Sequence, residues 1–205
     1  SMRLVDESGK ILDVAKKAIE DGLILDLGHG AGSLSFNTAE ALTSQGYWPD
    51  VISTDLHQMS IVGPNLVDPL KGSAFGDLSD SSDARSVISY VTNNGEPVFN
   101  LLTCIDKMLY LGMTFEDIVS ATTTRPAEIL GLKGEVGTLV PGAKADLASY
   151  VIEDRDVELV DIHGEKRTGR QKVKHVMTIL DGRPLTRIEI PPAPAWIKPV
   201  SGVPE

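Results

Sequence analysis

The side chains best suited to chemistry follow two short apolar segments of the chain. Asp55 and His57 close the stretch Ile-Ser-Thr-Asp-Leu-His. His29 and Ser33 belong to the glycine-rich stretch Gly-His-Gly-Ala-Gly-Ser. A carboxylate at the C-terminal end of a strand can ligate a divalent metal and take a proton from a water that the metal activates. Asp55 is therefore the first candidate for a catalytic and metal-binding residue.

Each candidate also has a structural alternative. An isolated aspartate after a strand is more often a turn or helix-capping residue. His57 either contacts substrate or orients the metal site, or is a surface histidine in a connection. Ser33 could donate a hydrogen bond to a substrate and could equally cap the helix that starts there. The two remaining histidines, His163 and His175, have no partner spacing and are predicted to be surface or strand residues.

Two strand–helix repeats position these candidates. Hydrophobic residues at helical spacing and two short apolar runs predict helices over 10–21 and 34–45 and strands over 23–27 and 50–54. Such apolar strands are expected to be buried on both faces. Repeated strand–helix units imply a parallel α/β architecture, so we expect His29 and Asp55 to lie at the same edge of one sheet.

The chain changes character after residue 68. Residues 69–97 are rich in Gly, Ser and Asp, include the turn signal Asn-Asn-Gly, and are predicted to form an inserted loop. Helical periodicity returns over 98–111. Thr114 is predicted to cap a helix over 115–123, because Asp117 follows three residues later, and Pro126 is predicted to open a further short helix.

From Gly137 onward the pattern is typical of β-structure. A tight turn is predicted at Asp181-Gly182, and the proline-rich tail 191–205 is expected to be extended. The predicted strands cover residues 146–152, 157–162 and 173–180.

Composition limits the classes of function. The 205 residues carry a formal net charge of −10, which argues against nucleic acid or an anionic membrane as the main partner. No apolar run approaches the roughly 18 residues that span a bilayer, and no signal peptide is recognisable. The single cysteine, Cys104, excludes an internal disulfide and lies on an apolar helical face as a core residue. A cytoplasmic protein with a small-molecule substrate is expected.

A second signature decides how Asp55 is interpreted. The stretch Gly-Thr-Leu-Val-Pro-Gly-Ala-Lys-Ala-Asp-Leu covers residues 137–147 and is a turn that leads into a strand. Together with the Asp55 stretch, and in this order, it resembles the C-terminal part of metal-dependent amidohydrolases, the urease and dihydroorotase superfamily. The likeness is greatest to the deacetylase-like subgroup. It covers residues 3–68 and 98–185.

The resemblance implies a fold. Residues 3–131 would form the last two strand–helix units of a (β/α)8 barrel, with the insert at about 69–97. Residues 132–190 would form part of the small β-sandwich that accompanies the barrel. Two strands of eight cannot close a barrel, so their exposed edges are expected to pair with another copy of the chain or with the insert.

The resemblance also implies a site. Asp55 matches the aspartate of the last barrel strand, which contacts the metal, usually zinc, and activates water. His29 would face the mouth of the site as a residue that touches substrate or supports the metal ligands. The His-x-His pair of the family's first strand is absent from the sequence. The expected reaction of the whole enzyme is hydrolysis of an amide or ester, and this chain alone is expected to be inactive.

Two alternatives use the same residues. The glycine-rich stretch also resembles the first motif of S-adenosylmethionine-dependent methyltransferases, with Asp55 as the ribose-binding acid. That family needs further strand–helix units, whereas this chain continues with helices and β-strands. The other alternative is a non-catalytic remnant or a subunit that a partner completes.

Overall fold

The chain forms five helices and seven strands within the residues that the computed structural model describes, which are 4–29, 34–55, 92–93, 96–97, 100–161 and 164–185. The helices are α1 (Asp13–Glu20), α2 (Phe36–Ser44), α3 (Leu101–Leu111), α4 (Phe115–Thr122) and α5 (Thr124–Ile129). The strands are β1 (Asp26–Leu27), β2 (Val51–Ile52), β3 (Thr92–Asn93), β4 (Glu96–Pro97), β5 (Leu147–Val160), β6 (Lys166–Leu180) and β7 (Arg183–Leu185). No helix of these residues is long and apolar enough to cross a membrane.

The first region is the predicted parallel α/β unit. Strands β1 and β2 pair in parallel, with Leu27 opposite Ile52. Both are shorter than predicted. The prediction that the first strand is buried on both faces is wrong for its start, because Leu23 and Ile24 are 51% and 43% exposed. Helix α3 covers one side of the strand pair, where Ile52 is buried and Leu27 packs against the core. Burial of the pair is therefore concentrated on that side.

Helix α3 begins three residues later than predicted, after the cap residue Asn100, whereas its end and the start of α4 are as predicted. Helix α3 ends at Gly112, whose φ of 94° gives the left-handed cap that glycine favours. Thr114 caps α4, because its hydroxyl oxygen accepts from the backbone N–H of Asp117 at 3.1 Å. The short helix α5 begins two residues before Pro126, since proline is tolerated in a first turn whose N–H groups have no helical partner.

The C-terminal region is an antiparallel sheet in the order β5-β6-β7. Two predicted strands, 146–152 and 157–162, are a single strand, β5. A register shift between Asp154 and Val157 lets the ladder continue, as a bulge does. The predicted turn at Asp181-Gly182 is confirmed between β6 and β7. The strands β3 and β4 form a short antiparallel pair, in which Asn93 of the predicted Asn-Asn-Gly turn belongs to β3. The rest of the 69–97 insert and the 191–205 tail lie outside the described residues.

Helix α3 joins the two regions. One of its faces carries core residues that pack with Ile52, and another carries Asp106, which is fully buried against β6. The Asp106 carboxylate accepts from Lys172 Nζ at 2.5 Å and from the backbone N–H of Val173 at 2.8 Å. A buried charge is tolerated only with such partners, so Asp106 fixes how the helix lies on the sheet.

Candidate active site

The carboxyl ends of the two parallel strands carry the predicted candidates. His29 follows β1 by two residues and Asp55 follows β2 by three residues. Since parallel strands end at one edge of a sheet, the two residues lie at the same edge. This confirms the prediction that His29 and Asp55 share an edge of one parallel sheet. In open α/β sheets and barrels this is the edge where ligands bind.

The side chains at this edge occupy two different sides of the strand pair. Ser53 Oγ donates to Asp26 Oδ2 at 3.0 Å, across the two strands. A Cβ placed on Gly28 would lie 3.4 Å from Ser53 Oγ and 3.2 Å from Asp55 Cβ. Asp26, Ser53, Gly28 and Asp55 therefore form one continuous surface, which we call the open face. His29 instead contacts Cys104 of α3, on the helix-covered side.

Asp55 has an unusual backbone conformation for a non-glycine residue. Its φ is 48°, in the left-handed region, where aspartate occurs more readily than most side chains. Its side chain is exposed and makes no hydrogen bond to another described residue. Residues with such a backbone conformation occur preferentially at functional sites, and no described residue occupies the hydrogen-bonding capacity of this carboxylate.

A cleft of about 420 Å³ is lined by β1, by residues that follow β2 and by α2. This volume is within the range of small-molecule sites. Asp26, Ser53 and Asp55 supply its polar wall, while Leu34, Leu42 and Trp48 are among its apolar lining residues. The cleft thus combines an apolar wall with convergent polar groups, as a binding site requires.

His29 is 1% exposed and does not line this cleft. Its Nδ1 lies 3.1 Å from Cys104 Sγ, and its Nε2 is buried with no hydrogen-bond partner among the described residues. Burial lowers the pKa of His29 to about 3, and the positive charge of Lys107 contributes in the same direction. The imidazole is therefore neutral at physiological pH.

The residues beside His29 on α3 are perturbed by the same burial. Desolvation raises the pKa of the Cys104 thiol to about 12 and lowers that of Lys107 to about 8. A thiol with a raised pKa is a poor nucleophile. The Cys104–His29 pair is thus a neutral hydrogen-bonded pair rather than a thiolate–imidazolium nucleophile.

Two of the predicted candidates, His57 and Ser33, lie outside the described residues, as does His163. Sequence reasoning missed Asp26 and Ser53. The signal that could have found them is strand alternation, because residues two apart on one strand share a face with each other and with their neighbours on the paired strand. Asp26, Ser53 and Asp55 follow that rule.

Asp55 supplies one carboxylate oxygen donor, which suits a divalent metal. Within the described part of the chain, however, no three His, Cys, Asp or Glu side chains are grouped closely enough to hold a metal ion. The residues that the structure describes therefore do not complete a metal site around Asp55.

The second sequence signature has a structural task. Gly137 has a φ of 69°, and a Cβ placed on it would lie 2.6 Å from the backbone oxygen of Thr123. Thr124 Oγ1 donates to the Gly137 carbonyl at 2.9 Å. The Gly-Thr-Leu-Val-Pro-Gly turn is thus packed directly on the start of α5, and only glycine fits at its first position.

Comparison with known sequences supports the resemblance. The amidohydrolase family pattern matches residues 109–186. A deacetylase of Agrobacterium fabrum is 30% identical over 159 residues, which are 78% of this chain and 31% of that protein. A deacetylase of Enterococcus faecalis is 28% identical over 176 residues, which are 85% of this chain and 38% of that protein. The chain thus spans about a third of the length of these relatives.

Solved structures lead to the same group of proteins. An adenine deaminase crystal structure superposes with a TM-score of 0.68 and 26% identity, over 89% of this chain and 41% of the deaminase. A dihydroorotase crystal structure gives a TM-score of 0.59 and 25% identity, over 84% of this chain and 38% of the dihydroorotase. These likenesses do not support the methyltransferase alternative.

Proposed function

Because the chain belongs to the amidohydrolase superfamily, we propose that it is the C-terminal part of a metal-dependent hydrolase that cleaves an amide or ester bond. Its substrate would be a small molecule, as for a deacetylase or a dihydroorotase. Residues 3–131 would contribute the last two strand–helix units of a (β/α)8 barrel, and residues 132–190 part of the accompanying β-sandwich.

The observation that carries this proposal is the position of Asp55. Its carboxylate stands at the carboxyl edge of a parallel strand pair, exposed on a cleft of about 420 Å³. The backbone of Asp55 itself is left-handed, with a φ of 48°. Asp55 makes no hydrogen bond to a described residue that would give it a structural role. In Asp106, by contrast, both carboxylate oxygens accept hydrogen bonds within the fold.

The chemistry of this chain's own residues follows from that position. Asp55 would accept a proton from the attacking water and would serve as one ligand of a divalent metal, zinc by resemblance. Such a metal, when bound, polarises a carbonyl and acidifies water. Ser53 and Asp26 would line the same wall of the cleft, where hydroxyl and carboxylate groups can orient a substrate. His57 would add a further contact beyond Asp55, and His29 would support the strand ends from the covered side.

We also propose that the isolated chain does not turn over substrate. The sequence has no His-x-His pair, and a single carboxylate binds zinc weakly without a closed coordination shell. The first experiment is metal analysis of the chain after dialysis against zinc, combined with an assay on N-acetyl amino acids. The expected result is less than one retained zinc per chain and no turnover.

The matched variants are Asp55→Asn and Glu116→Gln; Glu116 is an exposed carboxylate on α4 that does not line the cleft. Weak zinc binding, measured at equilibrium before dialysis, should be lost in Asp55→Asn and kept in Glu116→Gln. About two tightly held zinc ions per chain, with turnover that Asp55→Asn abolishes, would show instead that the chain is a complete hydrolase. Equal zinc binding by both variants would remove Asp55 from the metal site.

Self-association is part of the same proposal. The exposed Leu23 and Ile24 lie just before β1, whose second edge has no partner strand among the described residues. Open apolar strand edges favour pairing with another chain. Light scattering should report a species larger than a monomer, which Ile24→Lys reduces to a monomer. A monomeric wild-type chain would contradict this part of the proposal.

The predicted cytoplasmic location remains a prediction. It rests on the single cysteine of the sequence, which cannot form an internal disulfide.

A further inference from the structure

A buried polar junction lies behind the candidate site, where α3 meets the strand ends. Cys104 and His29 are 0% and 1% exposed and contact each other through Sγ and Nδ1 at 3.1 Å. The same sulfur lies 3.8 Å from the carbonyl oxygen of Ser53, which is two residues before Asp55. Three groups from three separate segments therefore meet at one point, directly beneath the open face.

The protons of this junction can be arranged in two ways. In the first, Nδ1–H donates to the sulfur and the thiol donates to the Ser53 carbonyl. In the second, the thiol donates to Nδ1, so that Nε2 carries the ring proton. Nε2 is buried without a partner among the described residues, and an unpaired buried N–H is rarer than an unpaired acceptor. The first arrangement leaves no unpaired donor.

We propose that Cys104 is a positioning residue, which holds His29 in its Nδ1–H tautomer and links this imidazole to the strand end that carries Asp55. The covered side of the strands then fixes the backbone from which Asp55 projects onto the open face. In this tautomer Nε2 can accept a hydrogen bond from an N–H or O–H group but cannot donate one. The purpose of this positioning rests on the proposed hydrolytic function, whereas the tautomer is a property of the chain itself.

The test is nuclear magnetic resonance of the whole chain with ¹⁵N-labelled histidine, since the two ring nitrogens report which of them is protonated. The wild-type spectrum should show His29 with its proton on Nδ1. Cys104→Ser keeps a donor and an acceptor at the same place and should keep this tautomer. Cys104→Ala removes both and should populate the Nε2–H form.

Amide hydrogen exchange adds a readout of position. The Ser53 N–H donates to the Leu27 carbonyl at 3.1 Å, at the strand end that Cys104 supports. Its exchange should accelerate by about fivefold to tenfold in Cys104→Ala, the effect of losing one ordinary hydrogen bond. Cys104→Ser should restore slow exchange. The amide of Val173, which is bonded to Asp106, is the control and should be unchanged, because a general loss of stability would accelerate both.

The outcomes are independent of hydrolysis. A wild-type His29 protonated on Nε2, or an unchanged tautomer in Cys104→Ala, would overturn the inference whatever the enzyme does. If Cys104→Ala fails to fold, the wild-type spectrum and Cys104→Ser still decide the tautomer. Failure of the zinc and activity experiments would remove the proposed hydrolase and leave this hydrogen-bonded link standing.

Discussion

Asp106 and Asp55 are the same residue type in opposite surroundings. Asp106 lies on a helix, is fully buried, and has its two oxygens bonded to Lys172 and to the backbone of Val173. Asp55 lies at a strand end, is exposed on a cleft, and makes no hydrogen bond to a described residue. The first acid holds two regions of the molecule together. The second is free for a ligand, at the expense of a left-handed backbone.

The comparison teaches how to separate structural from functional acids. A buried carboxylate must be satisfied within the fold, so its bonds are already made. A carboxylate that binds a metal or moves a proton must keep its oxygens available until the ligand arrives. Stability should therefore depend strongly on Asp106 and weakly on Asp55, and chemistry should show the reverse dependence. The following predictions test this contrast.

The largest effect is expected for Asp106→Ala. The change leaves the Lys172 ammonium and the Val173 N–H without their partner at a buried junction. Removing one member of a buried ion pair costs about 3–5 kcal/mol, and Lys172 is partly exposed, so we expect the lower end of that range. Urea unfolding measures it. The control is Asp156→Ala, an exposed acid on β5, which should change the unfolding free energy by less than about 0.5 kcal/mol.

Two glycines of the 137–147 turn segment differ in the same way, because one is packed against the fold and the other faces open space. Gly137 and Gly142 both have positive φ values, 69° and 96°. A Cβ on Gly137 would meet Thr123 at 2.6 Å, whereas a Cβ on Gly142 would meet nothing within 4 Å. Gly137→Ala should cost about 3 kcal/mol, from strain and overlap together, and Gly142→Ala about 1 kcal/mol from strain alone. Equal losses in thermal or urea unfolding would show that the turn is not packed on α5.

Much of the fold could be predicted from local signals. Thr114 with Asp117, and Gly112 after α3, have chemistry that depends on a few neighbouring residues, and both ends are as predicted. The joining of 146–152 and 157–162 into one strand was not predictable in the same way. It depends on pairing with β6, against which one extra residue of β5 is accommodated between Asp154 and Val157 as a bulge.

The position of His29 and Asp55 at one edge of the sheet was predictable, but the contacts of the residues behind and beside them were not. The order of strands and glycines placed His29 and Asp55 together. The burial of His29 depends on Cys104, which is 75 residues away and was predicted to be an ordinary core residue. No local pattern reports such a contact. The open face was also missed, because Asp26 and Ser53 become meaningful only once the two strands are known to be paired.

The buried side should also respond to pH. Burial lowers the pKa of Lys107 to about 8 in the folded state, against 10.5 for the ordinary group. Between these values the unfolded state binds more protons, so the unfolding free energy rises with pH. The rise from pH 8 to pH 9 should be about 1 kcal/mol, because the folded state is still partly protonated at pH 8, and Lys107→Met should remove it. Urea unfolding of both proteins from pH 7 to pH 9 gives the difference.

The pH range of this measurement is set by Cys104. Its folded-state pKa is raised from 9.0 to about 12, so its contribution to stability is present below pH 9 and is lost as the pH rises further. The two groups therefore oppose each other above pH 9 and are separable below it. If the wild-type chain and Lys107→Met show the same dependence from pH 7 to pH 9, Lys107 is not buried as a charged group.

The smallest effect on stability is expected for Asp55→Asn. The carboxylate makes no bond to a described residue, and asparagine adopts the left-handed conformation at least as readily as aspartate. The unfolding free energy should change by less than about 0.5 kcal/mol. Asp55→Ala should lower the unfolding free energy by about 1 kcal/mol, because alanine is strained in the left-handed conformation. Asp55→Gly should restore the stability of the wild-type chain, because glycine adopts that conformation without strain. A loss of more than about 2 kcal/mol in Asp55→Asn would mean that the carboxylate holds the fold, as Asp106 does, and would end the functional interpretation of the open face.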